Sequence, residues 1–198
     1  MKKVVLLLLF LFLTFILKPV FADTYPPATG FVNDFAQILT GDQKNELENN
    51  LSNFEKQTGN EISVAIVKDL GGDTVENYAV KLFEQWKIGK KDKNNGLLFL
   101  VAVNDHKYRF EVGYGLEPIL TDAKTGDIGR NLVVPAFKNG DYYKGIKDSL
   151  TNIESTITAG TPPSSPVSQL KRTLNVGEGI LYFILFLLFF FSWAIFAV

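Results

Sequence analysis

NNGLLFLVAVNDHKYRFEVGYGLE, residues 94–117, decides how this chain folds. LLFLVAV (97–103) is an uninterrupted apolar run of strand length, the pattern of a strand covered on both faces. Asn104, Asp105, His106 and Lys107 supply a polar hairpin loop. The return segment alternates cleanly: Tyr108, Phe110 and Val112 share one face, Lys107, Arg109 and Glu111 the other. Gly113-Tyr114-Gly115-Leu116-Glu117 then reads as a glycine-rich bend.

Working outward, EISVAIVK (61–68) is rich in β-branched residues and predicts a strand. Before it, Thr40 and Gln43 form a capping box ahead of a helix whose buried stripe is Leu47, Leu51 and Phe54, and Gly59 stops that helix. Residues 24–39 read as extended and turn-rich. After the strand, Asp73 is expected to cap a second helix, with Glu76 three residues on. Its apolar face is Val75, Tyr78, Ala79, Leu82, Phe83 and Trp86. Downstream, Asp122 opens a third helix, and beyond Pro135 Asp141 caps a fourth that runs to about Thr158. The order α-β-α-β-β-α-α, with a right-handed crossover between the two parallel strands, predicts an α/β domain. It is a small mixed sheet with helices on both faces.

The two ends differ from this middle. Met1-Lys2-Lys3, then the apolar run Val4–Leu17 and Val20-Phe21-Ala22, have the layout of a signal peptide over residues 1–22. Residues 179–198 carry no charge, and a helix of that length covers about 30 Å, one hydrocarbon core. A Pro/Ser-rich linker, 159–178, joins this expected transmembrane helix to the α/β domain, 23–158. The expected location is a cell membrane, with a single C-terminal span and the domain on the extracytoplasmic side. That domain holds 15 Lys+Arg against 20 Asp+Glu, a net of −5, which argues against a nucleic-acid partner. With no cysteine, disulfides, zinc-thiolate sites and thiol nucleophiles are excluded.

The hairpin makes a spatial prediction. It brings Asn94-Asn95-Gly96 to the same sheet edge as Gly113–Glu117 and the helix start at Asp122, and leaves Asp34 free to reach either end. Gly113 and Gly115 suit close approach to a phosphate, or a bend that needs positive φ. Arg109 and Glu111 suit a surface ion pair. His106 reads as a solvated loop residue.

Taken together, FVNDFAQIL (31–39), TGNEISVAIV (58–67), YAVKLFEQWKIGKK (78–91), NNGLLFLVA (94–102), RFEVGYGLE (109–117), LTDA (120–123) and PAFKNGDYYKGI (135–146) resemble the TPM-domain family. These are exported or thylakoid-lumen domains, usually tethered by a membrane helix. The resemblance implies binding of calcium or magnesium in some members and acid phosphatase activity in a plant lumenal one; others are accessory proteins. This chain departs from the family pattern where Asn94 stands for the usual Asp, and where Gly126-Asp127-Ile128 stands for Gly-Arg-Ile.

The expected ligands for a hard cation are Asp34, Glu117 and Asp122, with the Asn94 amide oxygen. Each has a competing structural role: helix capping for Asp122, turn formation for Asp34. Phosphatase chemistry would need a metal, because there is no cysteine and no Asp-x-Asp-x-Thr/Val motif. The expected function is therefore a non-catalytic, divalent-cation-binding (calcium or magnesium) accessory domain of a membrane or envelope complex. Metal-dependent acid phosphatase is the alternative.

Overall fold

The computed structural model describes residues 25–160. The expected signal peptide, all but the first two residues of the linker and the apolar run 179–198 lie outside the described residues. Among the described residues no helix is long and apolar enough to cross a membrane.

Four strands form one sheet in sequence order: β1 Val32–Asp34, β2 Glu61–Val67, β3 Gly96–Ala102 and β4 Lys107–Val112. The pairs β1–β2 and β2–β3 are parallel, and the β3–β4 hairpin is antiparallel. Around the sheet stand α1 Gly41–Thr58, α2 Val75–Trp86, α3 Asp122–Ile128, a π-helical turn Gly129–Val133, α4 Val134–Lys138 and α5 Tyr142–Gly160. The mixed sheet covered on both faces is the expected architecture, and α3, the π turn and α4 run on as one bent segment. α5, the helix predicted to start at Asp141, continues to Gly160.

β1 is an addition to the predicted order. VND is too short to show alternation, and its strand character comes from pairing with β2 in the register Val32↔Val64, Asp34↔Ile66. Its outer edge is closed by α1: Glu48 accepts the backbone N–H groups of Phe31 (2.9 Å) and Val32 (2.7 Å).

The side chains of β2 and β3 divide between two cores. Val64, Ile66, Phe99 and Val101 face α1, α3, the π turn and α5, while Ala65, Val67, Leu98 and Leu100 face α2. The two crossovers thus step the same way along the sheet but over opposite faces, so their hands differ. Val64 and Ile66 point toward α1 and carry the hydrogen bonds to β1. For L-residues this makes β2–α2–β3 the right-handed crossover, as expected, and β1–α1–β2 left-handed, against the usual preference.

Several local expectations hold. Thr40 and Gln43 form the reciprocal box, and Gly59 closes α1 at φ 77°. The cap of α2, however, is Thr74, whose hydroxyl accepts from Asn77 N–H at 3.2 Å. Asp73 instead takes the N–H of Thr74 at 2.8 Å. Pro135 sits within α4, a short helix ahead of the one that Asp141 begins. Proline in a helix lacks an N–H and crowds the carbonyl four residues back. The preceding wide turn, closed by Val134 N–H to Gly129 C=O, gives that carbonyl room.

Candidate functional site

β4 positions the site. Phe99 of β3 stacks on Phe110 (centroids 4.4 Å apart) and meets Tyr108 edge-on (6.5 Å), fixing the apolar face of β4 on the core. Arg109 and Glu111 are paired with Leu100 and Leu98, on the α2 side of the sheet. They form the expected ion pair, Nε to Oε2 3.0 Å. Being partly exposed, such a pair contributes little to stability, at most about 1 kcal/mol.

The bend after β4 is built by contact between backbones. Gly113 N–H donates to Gly96 C=O and Gly115 N–H to Asn94 C=O, each at 2.9 Å. A Cβ on Gly113 would come within 2.3 Å of the Asn94 oxygen, and one on Gly115 within 2.1 Å of the Lys93 oxygen. Neither glycine belongs to the positive-φ set, so the expected conformational reason is replaced by a steric one. Carbonyl oxygens already fill the space beside both glycines where a phosphate was envisaged. Asn94 itself takes the left-handed conformation, φ 46°, which asparagine tolerates better than most residues.

Beyond the bend, Leu116 and Leu120 anchor the chain in the core, while Glu117 and Asp122 stay exposed. Thr121 rather than Asp122 is the N-cap of α3, through a long 3.5 Å contact to Lys124 N–H. Arg109, Glu111, Glu117 and Asp122 surround a cleft of about 340 Å³ floored by Phe110 and Leu120. A second cleft of about 350 Å³ shares Arg109, Phe110 and Asp122 and continues to Glu76 of α2 and to Thr125 and Gly126 of α3. Together they follow the outer edge of β4.

The hairpin therefore gathers Arg109, Glu111, Glu117 and Asp122, with Asn94 adjoining through its backbone carbonyl. It does not gather Asp34. That residue lies on β1, level with Ile66, Val101 and Tyr108; β1 and β4 are the two borders of the sheet, about 14 Å apart, and the level of Glu61 and Gly96, next to Asn94, is five register positions or about 16 Å away along the strands. Its Oδ2 accepts Leu39 N–H at 2.8 Å, and its Oδ1 is buried without a hydrogen-bond partner. Among the described residues no three His, Cys, Asp or Glu side chains are grouped so as to hold a metal ion. The expected four-residue set does not fit a single cation site. His106 is exposed at the hairpin, at the far end of β4 from Glu117.

Two features escaped sequence reasoning. Asn95 is buried: its Nδ2 donates to Gly59 C=O (2.6 Å) and Asn60 Oδ1 (3.1 Å), and its Oδ1 accepts from Lys90 N–H (3.0 Å). It ties the end of α1 to the loop before β3, and only its place beside a buried strand hinted at this. A cleft of about 480 Å³ lies after β2, lined by Tyr25, Asp69, Gly71, Asp73, Tyr78 and Lys81. Its charges satisfy one another: Tyr25 hydroxyl and Lys81 Nζ both donate to Asp73 Oδ2, at 3.1 and 3.2 Å. Contacts with Tyr25 and Asp73 hold the Lys81 ammonium firmly protonated.

The TPM domain family matches residues 32–156, and the chain belongs to that family. The chain is similar to the N-terminal domain of a protein from P. gingivalis solved by NMR, at 28% identity and TM-score 0.62, covering 66% of this chain and 83% of that one. It is also similar in fold to the BA42 protein of the psychrophilic bacterium Bizionia argentinensis, at 23% identity and TM-score 0.57, over 65% and 88% of the two chains. A third likeness, to the N-terminal domain of the cg2496 protein of Corynebacterium glutamicum, has 16% identity and TM-score 0.52, over 75% and 92%. No curated protein matches the chain significantly.

Proposed function

We propose that this member of the TPM-domain family is an exported accessory domain, tethered to a membrane by its apolar C-terminal run, that binds polypeptide at the β4 edge. The observation that carries this reading is the open edge itself. One border of the sheet, β1, is closed by Glu48, while the other is flanked by two adjoining clefts and no further strand among the described residues. Extended peptides add to such edges through main-chain hydrogen bonds, with specificity from the side chains alongside.

The clefts suit binding better than turnover. Their hydroxyl groups belong to Thr121, which caps α3, to Thr125, which donates back into its own helix, and to Tyr108. Among the described residues none of these hydroxyls is hydrogen-bonded to a histidine, and Glu117 and Asp122 are exposed carboxylates. With Asp34 on β1 and the other expected ligands at the opposite border of the sheet, beside β4, no step is routed through a resident cation.

The test is photo-crosslinking from position 109 of the full chain in its own membrane, with aryl phosphate hydrolysis measured on the same preparation with added calcium or magnesium. Crosslinks to polypeptide without turnover are expected. Metal-dependent hydrolysis that Asp122→Asn removes would overturn the reading in favour of a phosphatase.

A further inference from the structure

A further cleft, which edge binding leaves unused, lies at the hairpin end of β4. It holds about 360 Å³, a small-molecule size. Its walls are apolar: Tyr108 of β4, Val134 and Phe137 of α4, and Tyr142 of α5. Phe137 and Tyr142 lean together, centroids 4.7 Å apart and planes at 44°. All three rings stay partly exposed instead of closing the space.

The helices give way to seat these rings. Gly129, in the π turn, lies against Tyr108, and a Cβ there would overlap the Tyr108 hydroxyl. Gly145, early in α5, lies against Phe137, where a Cβ would come within 2.7 Å of the ring. Both glycines are buried and helical, and glycine weakens a helix interior relative to alanine. The π turn is itself a rare form that recurs at functional sites. It leads straight into α4, and so sets Val134, Phe137 and Lys138 around the cleft. A core built for stability alone would fill such a space with side chains.

Charge selects the class of ligand. Lys107 at the hairpin and Lys138 at the end of α4 both line the cleft, and no carboxylate does. Among the described residues neither lysine is in an ion pair. The acids next in the chain are engaged elsewhere. Asp105 Oδ2 accepts Leu70 N–H at 2.8 Å, toward the α2 side, and Asp141 Oδ1 accepts Lys144 N–H at 3.0 Å. Glu76 stands in the neighbouring cleft, and Arg130, whose charge also reaches Tyr108, is held by Asp127 at 2.6 Å. The hydroxyls of Tyr108 and Tyr142 make no hydrogen bond among the described residues and can donate to a ligand.

We propose that this cleft binds a small molecule with one aromatic ring and one anionic group. The ring packs against Tyr108, Phe137 and Tyr142, and the anion meets Lys107 and Lys138.

The test titrates the full chain with benzoate, benzylamine and acetate, and reads amide and ring shifts by NMR. The chain is carried in phosphatidylcholine nanodiscs, so that no detergent enters the cleft. Saturable shifts at Tyr108, Phe137 and Tyr142 are expected with benzoate alone, since benzylamine carries the wrong charge and acetate no ring. Lys107→Gln with Lys138→Gln is expected to weaken benzoate about ten-fold. Phe137→Leu, which keeps an apolar wall without the ring, should weaken it too. Both lysines are exposed, so the double variant keeps the fold, and unchanged shifts in β2 and β3 verify this. The proposal is overturned if no saturable shift appears at these residues, if benzylamine or acetate binds as tightly as benzoate, or if the double variant binds benzoate as the parent does. Crosslinking from position 109 bears on the β4 edge and leaves this cleft untouched.

Discussion

Gly115 lies against the backbone of Lys93, so that a side chain begun there would place its first carbon 2.1 Å from the Lys93 carbonyl oxygen. Backbone cannot retreat as a flexible side chain can. Gly115→Ala is therefore expected to destabilise the domain by about 2 kcal/mol, in the range of overpacking substitutions. Chemical denaturation measures it. An unchanged midpoint would mean that the bend shifts freely and that glycine is kept there for a ligand.

Glu48 closes the β1 edge with two charge-assisted hydrogen bonds. Glu48→Ala leaves both N–H groups without an acceptor and is expected to cost about 2–3 kcal/mol. Amide exchange at Phe31 and Val32 should accelerate before that of β2 or β3 does. Global acceleration alone would count against a local capping role.

The half-buried carboxyl of Glu154 has its pKa raised, because desolvation outweighs the hydrogen bond from Asn50. A carboxyl with a raised folded pKa favours the fold when protonated, and that contribution fades as pH rises through the folded value. Glu154→Gln, uncharged at every pH, should thus be more stable than the parent at pH 7, by about 0.5 kcal/mol or less. The difference should vanish below the ordinary value of 4.5. Denaturation midpoints at pH 7 and pH 3.5 check the sign; a gain at pH 3.5 alone would contradict it.

The hairpin and the helix stripes were legible because their periodicity records burial directly. Phe99 and Phe110 are opposite each other, as the run 97–103 and the alternation 108–112 imply. What stayed hidden was set by tertiary contact. Three residues of β1 hold no period, and Val32–Asp34 became a strand through β2 and Glu48. Asp73 and Thr74 are both good caps by composition, and only local geometry decided for Thr74. Glu117 and Asp122 line one cleft beside β4, the proximity that the hairpin implies. Asp34 is the last residue of a strand the sequence did not reveal, and with that strand unknown its border of the sheet could not be read.

That placement of Asp34 leads to the last prediction. A calcium ion takes six to eight oxygens within about 2.6 Å, and a site of that kind cannot span from β1 to β4, three strand spacings or about 14 Å across the sheet. Titration of the full chain with calcium or magnesium, followed by amide shifts, should therefore never perturb Asp34 and Asp122 as one saturating event. Asn94→Asp, which restores the acid of the family pattern, should leave the response unchanged, since Asn94 is exposed and meets the site through its backbone carbonyl. Asp34→Asn should likewise leave it unchanged, while altering the loop that Asp34 holds through Leu39 N–H. A saturating response tightened by Asn94→Asp and lost in Asp34→Asn would require the two ends of β1 and β3 to meet. That would contradict the parallel register Asp34↔Ile66 and Ile66↔Val101, on which the whole arrangement of the site depends.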